Sequence, residues 1–143
     1  MIYSIDHIEI YKSERLMLTY KGTELFKRYR IALGKQPIGA KEIEGDNKTP
    51  EGTYFIISRN ANSRFHKNLG ISYPNEDDLE RAAQLGLPAG GDIKIHGIRN
   101  GQGWKGRFHR LRDWTAGCIA VTNEEMDELF EMVADGATVI IYP

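Results

Sequence analysis

The chain has a single cysteine, Cys118, which excludes an intramolecular disulfide and any metal site built on a cysteine pair. The other common zinc signatures are missing too, since neither His-Glu-x-x-His nor His-x-x-His occurs. No run approaches the ~20 apolar residues a membrane span requires, so no spanning helix and no membrane partner is expected. An excess of one charge is absent as well. The 19 Lys and Arg stand against 20 Asp and Glu, a net charge of −1, whereas a dedicated nucleic-acid binder carries a clear basic excess. The first residues, Met1-Ile2-Tyr3-Ser4-Ile5-Asp6-His7, show neither a basic n-region nor a long apolar h-region. A cytoplasmic location is therefore expected if that N-terminus is native, and the periplasm or cell envelope if a leader was removed. Gly101-Gln102-Gly103-Trp104-Lys105-Gly106 is glycine-rich, but it does not follow a strand as a dinucleotide fingerprint must and lacks a Lys-Ser/Thr ending. It reads as flexible loop, and no cofactor is implied.

What is present describes one soluble catalytic-sized domain over residues 1–143. Hydrophobic residues make up 41% and charged residues 27%, ordinary for a globular chain with room for a real core. The first half reads as β. Residues 2–11 alternate, residues 15–20 follow a polar break, and Lys21-Gly22 turns into residues 24–33, a meander of antiparallel strands. Residues 34–50, rich in Gly, Lys and Pro without a period, read as loop, and a strand follows at 53–58. Residues 60–75 read as irregular, with a short β-like stretch at 70–73. Asn75-Glu76-Asp77-Asp78 opens a helix to about Gln84, with acids favouring its N-terminus, Gly86 stopping it and a solvated acidic face. A strand at 92–95 ends on His96, and residues 97–112 form a long polar loop. A short strand at 118–121 precedes a helix over 123–134, announced by the Thr122/Glu125 capping box. Its Met126, Leu129, Phe130 and Val133 form an apolar stripe for packing on the sheet, Gly136 ends it, and residues 138–142 make a last strand. The fold class expected is mainly β with two peripheral helices.

A lone thiol is a buried small hydrophobe, an incidental surface group or a nucleophile. Gly117 before it permits a tight turn that brings the Gly117 and Cys118 N–H groups toward a substrate oxygen as an oxyanion site. Of the four histidines, His96 is the best base, because a packed strand holds its imidazole rigidly and a loop leads from it back to the cysteine. His7, beside Asp6, reads as structural, His66 as a cleft-lining candidate and His109 as a substrate contact. Arg99, Lys105, Arg107, His109, Arg110 and Arg112 cluster between base and thiol. They are either a solvated loop or a receiver of carboxylates that also lowers the thiol pKa. The chemistry such a pair permits is acyl transfer: the thiolate attacks a carbonyl, the imidazolium protonates the leaving amine, and water or an amine resolves the thioester.

Four ordered motifs carry a resemblance across nearly the whole chain: Lys48-Thr49-Pro50-Glu51-Gly52, Ile71-Ser72-Tyr73-Pro74, Ile95-His96-Gly97 and Thr115-Ala116-Gly117-Cys118. With them the sequence resembles the L,D-transpeptidase catalytic domain family. The resemblance implies a β-sandwich-like domain with Cys118 as nucleophile, His96 as base and the Gly97 carbonyl orienting the imidazole. It implies attack on the bond between meso-diaminopimelate and D-alanine of a peptidoglycan stem tetrapeptide or muropeptide, and carbapenems as covalent inhibitors. Arg64, Tyr73, Arg107, His109, Arg112, Trp114 and Thr115 are the substrate-binding candidates. Two positions depart from the family pattern: Ala116 stands where many members have histidine, and Ala120 where many have arginine. With no leader in view, an L,D-carboxypeptidase trimming soluble recycled muropeptides is expected. The alternatives are a transpeptidase forming 3-3 cross-links or exchanging D-amino acids in the envelope, and a catalytically silent peptidoglycan-binding module.

Overall fold

A computed structural model of the protein describes residues 4–143. The N-terminal meander forms as expected: β1 (Ile5–Tyr11), β2 (Leu16–Lys21) and β3 (Glu24–Arg30) pair antiparallel in sequence order. Ile2 and Tyr3, expected in the first strand, lie outside the described residues. The strands β4 (Gly52–Ser63), β5 (His66–Ile71), β6 (Lys94–His96), β7 (Ile119–Ala120) and β8 (Val133–Tyr142) complete one eight-stranded sheet, ordered β3-β2-β1-β8-β4-β5-β6-β7. The sheet curls until its two ends meet. Beyond β3, Ala32 exchanges backbone hydrogen bonds of 3.0 and 2.9 Å with Ala120 in β7. That contact, and the helices α1 (Glu76–Leu85) and α2 (Asn123–Met132), close a mainly β domain of the expected class.

The alternation that predicts the strands also fills the interior. Ile8 and Ile10 of β1, Met17 of β2, Tyr54 and Ile56 of β4 and Val139 and Ile141 of β8 are almost wholly buried, their neighbours facing out. Met126, Leu129 and Val133 seal one side, so the stripe read from the sequence is the buried face of α2. Lys12 is one of the charged side chains buried here, at 2% exposed. Its ammonium donates to the carbonyls of Thr49 (2.7 Å) and Gly39 (2.9 Å) and to Glu51 (3.1 Å), tying the long 34–51 loop to the sheet.

Several boundaries, and the burial of one acidic residue, differ from the sequence reading. Residues 60–71 are a continuation of β4 and the return strand β5, not irregular chain. Their polar side chains carry no apolar period, and cross-strand pairs such as Asn60 with Asn68 and Ser63 with His66 define the hairpin instead. α2 stops at Met132 and β8 begins at Val133 without a loop, with Gly136 (φ 80°) absorbed in a bulge between the Ile5–Val133 and His7–Thr138 pairs. The 97–112 loop contains 3-10 turns over Gly103–Leu111, broken at Gly106. Asp78 is not on a solvated face. It is 3% exposed, accepts from the Tyr54 hydroxyl at 2.8 Å, closes the Asn75 capping box and pairs with Arg81.

Candidate active site

Strand periodicity places the first components. In β6 Ile95 points into the core, so Lys94 and His96, two residues apart, share the opposite face. β7 runs parallel to β6 with Ile119 beside Ile95 and Ala120 beside His96, which brings Cys118 alongside Lys94. The Lys94 N–H donates to the Cys118 thiol at 3.4 Å, and the thiol in turn donates to the Asp92 carbonyl at 3.4 Å. The turn before Cys118 is braced from inside. The Thr115 hydroxyl donates to the Cys118 carbonyl (2.7 Å) and accepts from the Gly117 N–H (3.1 Å). Gly117 has φ 140°, and a Cβ there would stand 2.8 Å from the Lys48 carbonyl oxygen, so glycine is required on two counts.

His96 is held on every side. Its Nδ1 lies 2.7 Å from the Gly97 carbonyl, which only accepts, so Nδ1 carries the proton and Nε2 is the free base. The Gly97 N–H donates to the Phe65 carbonyl at 2.9 Å, and the Phe65 ring stacks on the imidazole at 4.5 Å with Trp114 at 5.6 Å. A Cβ on Gly97 would meet Asn123 Oδ1 at 2.6 Å, which keeps this crossing closed to any other residue. Burial under these rings lowers the His96 pKa to about 4, so the imidazole is neutral and competent as a base at pH 7. Burial also pushes the Cys118 thiol up, against the opposing pull of the Lys94 N–H and charge. This corrects the expectation that the basic loop activates the thiol: at rest the pair is neutral thiol and neutral imidazole.

Phe65 is absent from the candidates read from the sequence because only the hairpin brings it over His96. Phe65→Ala should let water reach the imidazole and raise its pKa from about 4 by about one unit or more toward the ordinary 6.5. The acid limb of kcat/KM, or the His96 ring resonance in a pH titration, measures the shift.

Three recesses converge on the thiol. A cleft of about 370 Å³ runs between Lys35, Phe65, His96, Arg99 and Trp114. A second of about 450 Å³ is edged by Asn62, Arg64, Asp92, Lys94 and His96, and a small one of about 150 Å³ by Lys41, Glu44, Gly91 and Asp92. The predicted residues distribute unevenly among them. Cys118, His96 and Gly97 meet, Arg64 edges the second recess and Trp114 walls the first. Tyr73 does not take part. It is 4% exposed, packs against Tyr54 and donates its hydroxyl to the Ala89 carbonyl at 2.8 Å, so it is core. Thr115 does line the first cleft, but it is 4% exposed and its hydroxyl is spent on the turn. The Gly117 N–H is committed to that hydroxyl, which leaves the Cys118 N–H as the oxyanion donor this turn offers. Arg107 is exposed over the Phe108 ring and borders none of the three recesses. His109 is 5% exposed, accepts from the Trp114 indole N–H at 3.2 Å and, with Arg112, lines a neighbouring cavity. His7 bonds Glu9 at 3.0 Å and His66 bonds Asp127 at 2.7 Å, so both are structural pairs. Lys35, Lys41, Lys94 and Arg99 join Arg64 as flanking cations; of these four only Arg99 belongs to the basic cluster read from the sequence. Lys94 is legible in principle, two residues before His96 on a strand.

Comparison with known proteins identifies the family and the fold. A family model described as the L,D-transpeptidase catalytic domain matches residues 5–141. A curated Escherichia coli K12 relative with the provisional name L,D-transpeptidase YafK is 30% identical over 145 residues, covering 96% of this chain and 50% of the relative. The helical cell shape determining protein Pgp2 from Campylobacter jejuni superimposes with a TM-score of 0.70 at 26% identity, over 96% of this chain and 47% of that one. The L,D-transpeptidase LdtMt1 in complex with imipenem shares the fold, with a TM-score of 0.62 at 13% identity over 97% of this chain and 59% of that one. The chain thus spans about half the length of the curated relatives it matches.

Proposed function

Because the chain belongs to the L,D-transpeptidase catalytic domain family, we propose that it is a cysteine acyl-transfer enzyme acting on peptidoglycan stem peptides. The observation that carries this reading is a neutral histidine that shares its recesses with the thiol. His96 is neutral, locked by the Gly97 carbonyl and open on the same recesses as the only thiol. Nε2 takes the Cys118 proton as sulfur attacks the carbonyl of meso-diaminopimelate. The resulting oxyanion is held by the Cys118 N–H, and the imidazolium returns the proton to the departing amine of D-alanine. Starting from a neutral pair, the proton moves only as the carbon–sulfur bond forms, so no thiolate stands exposed between turnovers.

The thioester is resolved by water, making the protein an L,D-carboxypeptidase acting on soluble muropeptides. Support comes from Ala116, whose methyl borders both recesses next to the thiol where many family members carry histidine. Ala120, the second departure, is fully buried against Ala32 and has no room for an arginine side chain. Incubation with disaccharide tetrapeptide should release free D-alanine and leave tripeptide, with Cys118→Ala inactive. Dimer as the main product would make the enzyme a transpeptidase instead, and release of D-alanine only from intact sacculi would make its substrate the polymer and not the soluble muropeptide. A carbapenem should add one covalent mass to the protein and none to Cys118→Ala, while no adduct on either would favour a silent binding module.

A further inference from the structure

Charge is distributed asymmetrically around the thiol. The 370 Å³ cleft holds Lys35 and Arg99 and, among the described residues, no acidic side chain, whereas the other two recesses at Cys118 mix Asp92 and Glu44 with Lys41, Arg64 and Lys94. Gln102 and Trp114 also line a further cavity of about 450 Å³, together with Ile98, Phe108, Leu111, Lys105 and Arg112. It too has no acidic lining among the described residues. None of Lys35, Arg99, Lys105 and Arg112 makes an ion pair among the described residues, although the chain as a whole is slightly acidic. Four unpaired cations along two adjoining cavities form a track for a chain of anionic groups. The partition between the cavities is rigid, because the Trp114 indole is hydrogen-bonded to His109. With His109 Nδ1 accepting, its proton sits on Nε2, a buried N–H at this cavity with no acceptor among the described residues.

We propose that this second cavity is a carboxylate subsite, which fixes the direction in which the stem peptide lies. Resting on the stem-peptide reading above, the diaminopimelyl residue occupies the Lys35–Arg99 cleft beside the thiol. The free carboxylate of the D-isoglutamyl residue before it passes Trp114 and reaches Lys105 and Arg112. An extended chain advances about 3.5 Å per residue, so successive carboxylates are spread along the track rather than gathered at one point. The leaving D-alanine then lies away from that cavity, in the recesses where Asp92 and Glu44 stand among Lys41, Arg64 and Lys94.

The test compares disaccharide tetrapeptide with its counterpart in which the D-isoglutamyl carboxylate is an amide. Equilibrium binding to the Cys118→Ala protein should favour the acid by about tenfold, the combined worth of two solvent-exposed charge pairs. Lys105→Glu with Arg112→Glu should abolish or invert that preference, and Lys105→Gln with Arg112→Gln should reduce it. With Cys118 intact, the ratio of kcat/KM for acid over amide should fall by the same factor, whereas damage to the fold would lower both and leave the ratio alone. A preference that survives the double charge reversal, or a parent protein that does not distinguish acid from amide, overturns the subsite. If the preference holds but no D-alanine is released, the subsite stands and the hydrolase reading falls.

Discussion

His96→Ala should lower turnover by about 10³-fold, within the 10²–10⁴ that general bases contribute. The size follows from the resting state. A thiol whose pKa burial has raised holds its proton at pH 7, so without a nearby acceptor there is little nucleophile for the substrate to meet. The cationic residues around the cleft do not offset that burial, so the proposed mechanism relies on the imidazole to make the thiol reactive. The same state predicts the pH profile. Since His96 protonates only near pH 4, kcat/KM should climb through about 4 and hold a plateau across neutrality. An acid limb near 6.5 would show instead that the imidazole is solvated in solution. Iodoacetamide labelling of Cys118 at pH 7 provides a second readout. It should be slow in the parent protein and rise only as the pH approaches the elevated thiol range.

The pair is legible in the sequence because its logic is local. His96 closes an alternating β-run, Gly97 follows it, and Cys118 is the only cysteine, preceded by the glycine its turn requires. The N-terminal meander, the α2 stripe and both helix caps are legible for the same reason, each being written in residues one to four apart. The substrate side is not. Tyr73 belongs to a motif that marks the family, yet its job is to pack on Tyr54 and tie down Ala89, which no pattern in the chain distinguishes from a binding role. Thr115 stands three residues from the thiol, and only the folded turn reveals that its hydroxyl faces inward. Phe65 escapes notice because the end of the hairpin that carries it, residues 58–68, is almost wholly polar. Its strands are specified by pairing with distant chain, such as Asn68 with His96 across β5 and β6, and leave no hydrophobic period to read. The basic loop stands out as a charge cluster, but its members divide between cleft, second cavity and open surface in a way that only the 3-10 turns decide.

Acid should destabilise the fold well before the carboxylates titrate. Both His96 and His109 are buried with pKa values lowered to about 4, the first by desolvation under Phe65 and Trp114, the second by burial with nearby Arg110 opposing its charge. In the unfolded chain each returns to about 6.5. Between those values the unfolded state binds more protons than the native one. Stability is therefore complete above pH 6.5 and falls as the pH drops through 6.5 toward 4. For His96 the cost from pH 6.5 to 5 is 1.5 units at 1.36 kcal/mol each, about 2 kcal/mol, with a contribution of the same sign from His109. Against the roughly 5–15 kcal/mol of a typical domain that is a large share. Glu9, Asp46, Asp127 and Glu128, whose hydrogen bonds and cationic or hydroxyl partners outweigh their burial to give lowered pKa values, begin to contribute only below about pH 4.5. The window from 6.5 to 5 thus isolates the histidines. Urea unfolding at pH 7, 6 and 5 should show the midpoint falling steadily, and His96→Gln should flatten about half of that slope. A midpoint constant over this range would mean that neither imidazole is shielded from water in the native protein. The Phe65 stack and the Trp114–His109 hydrogen bond would then have to be open for most of the time.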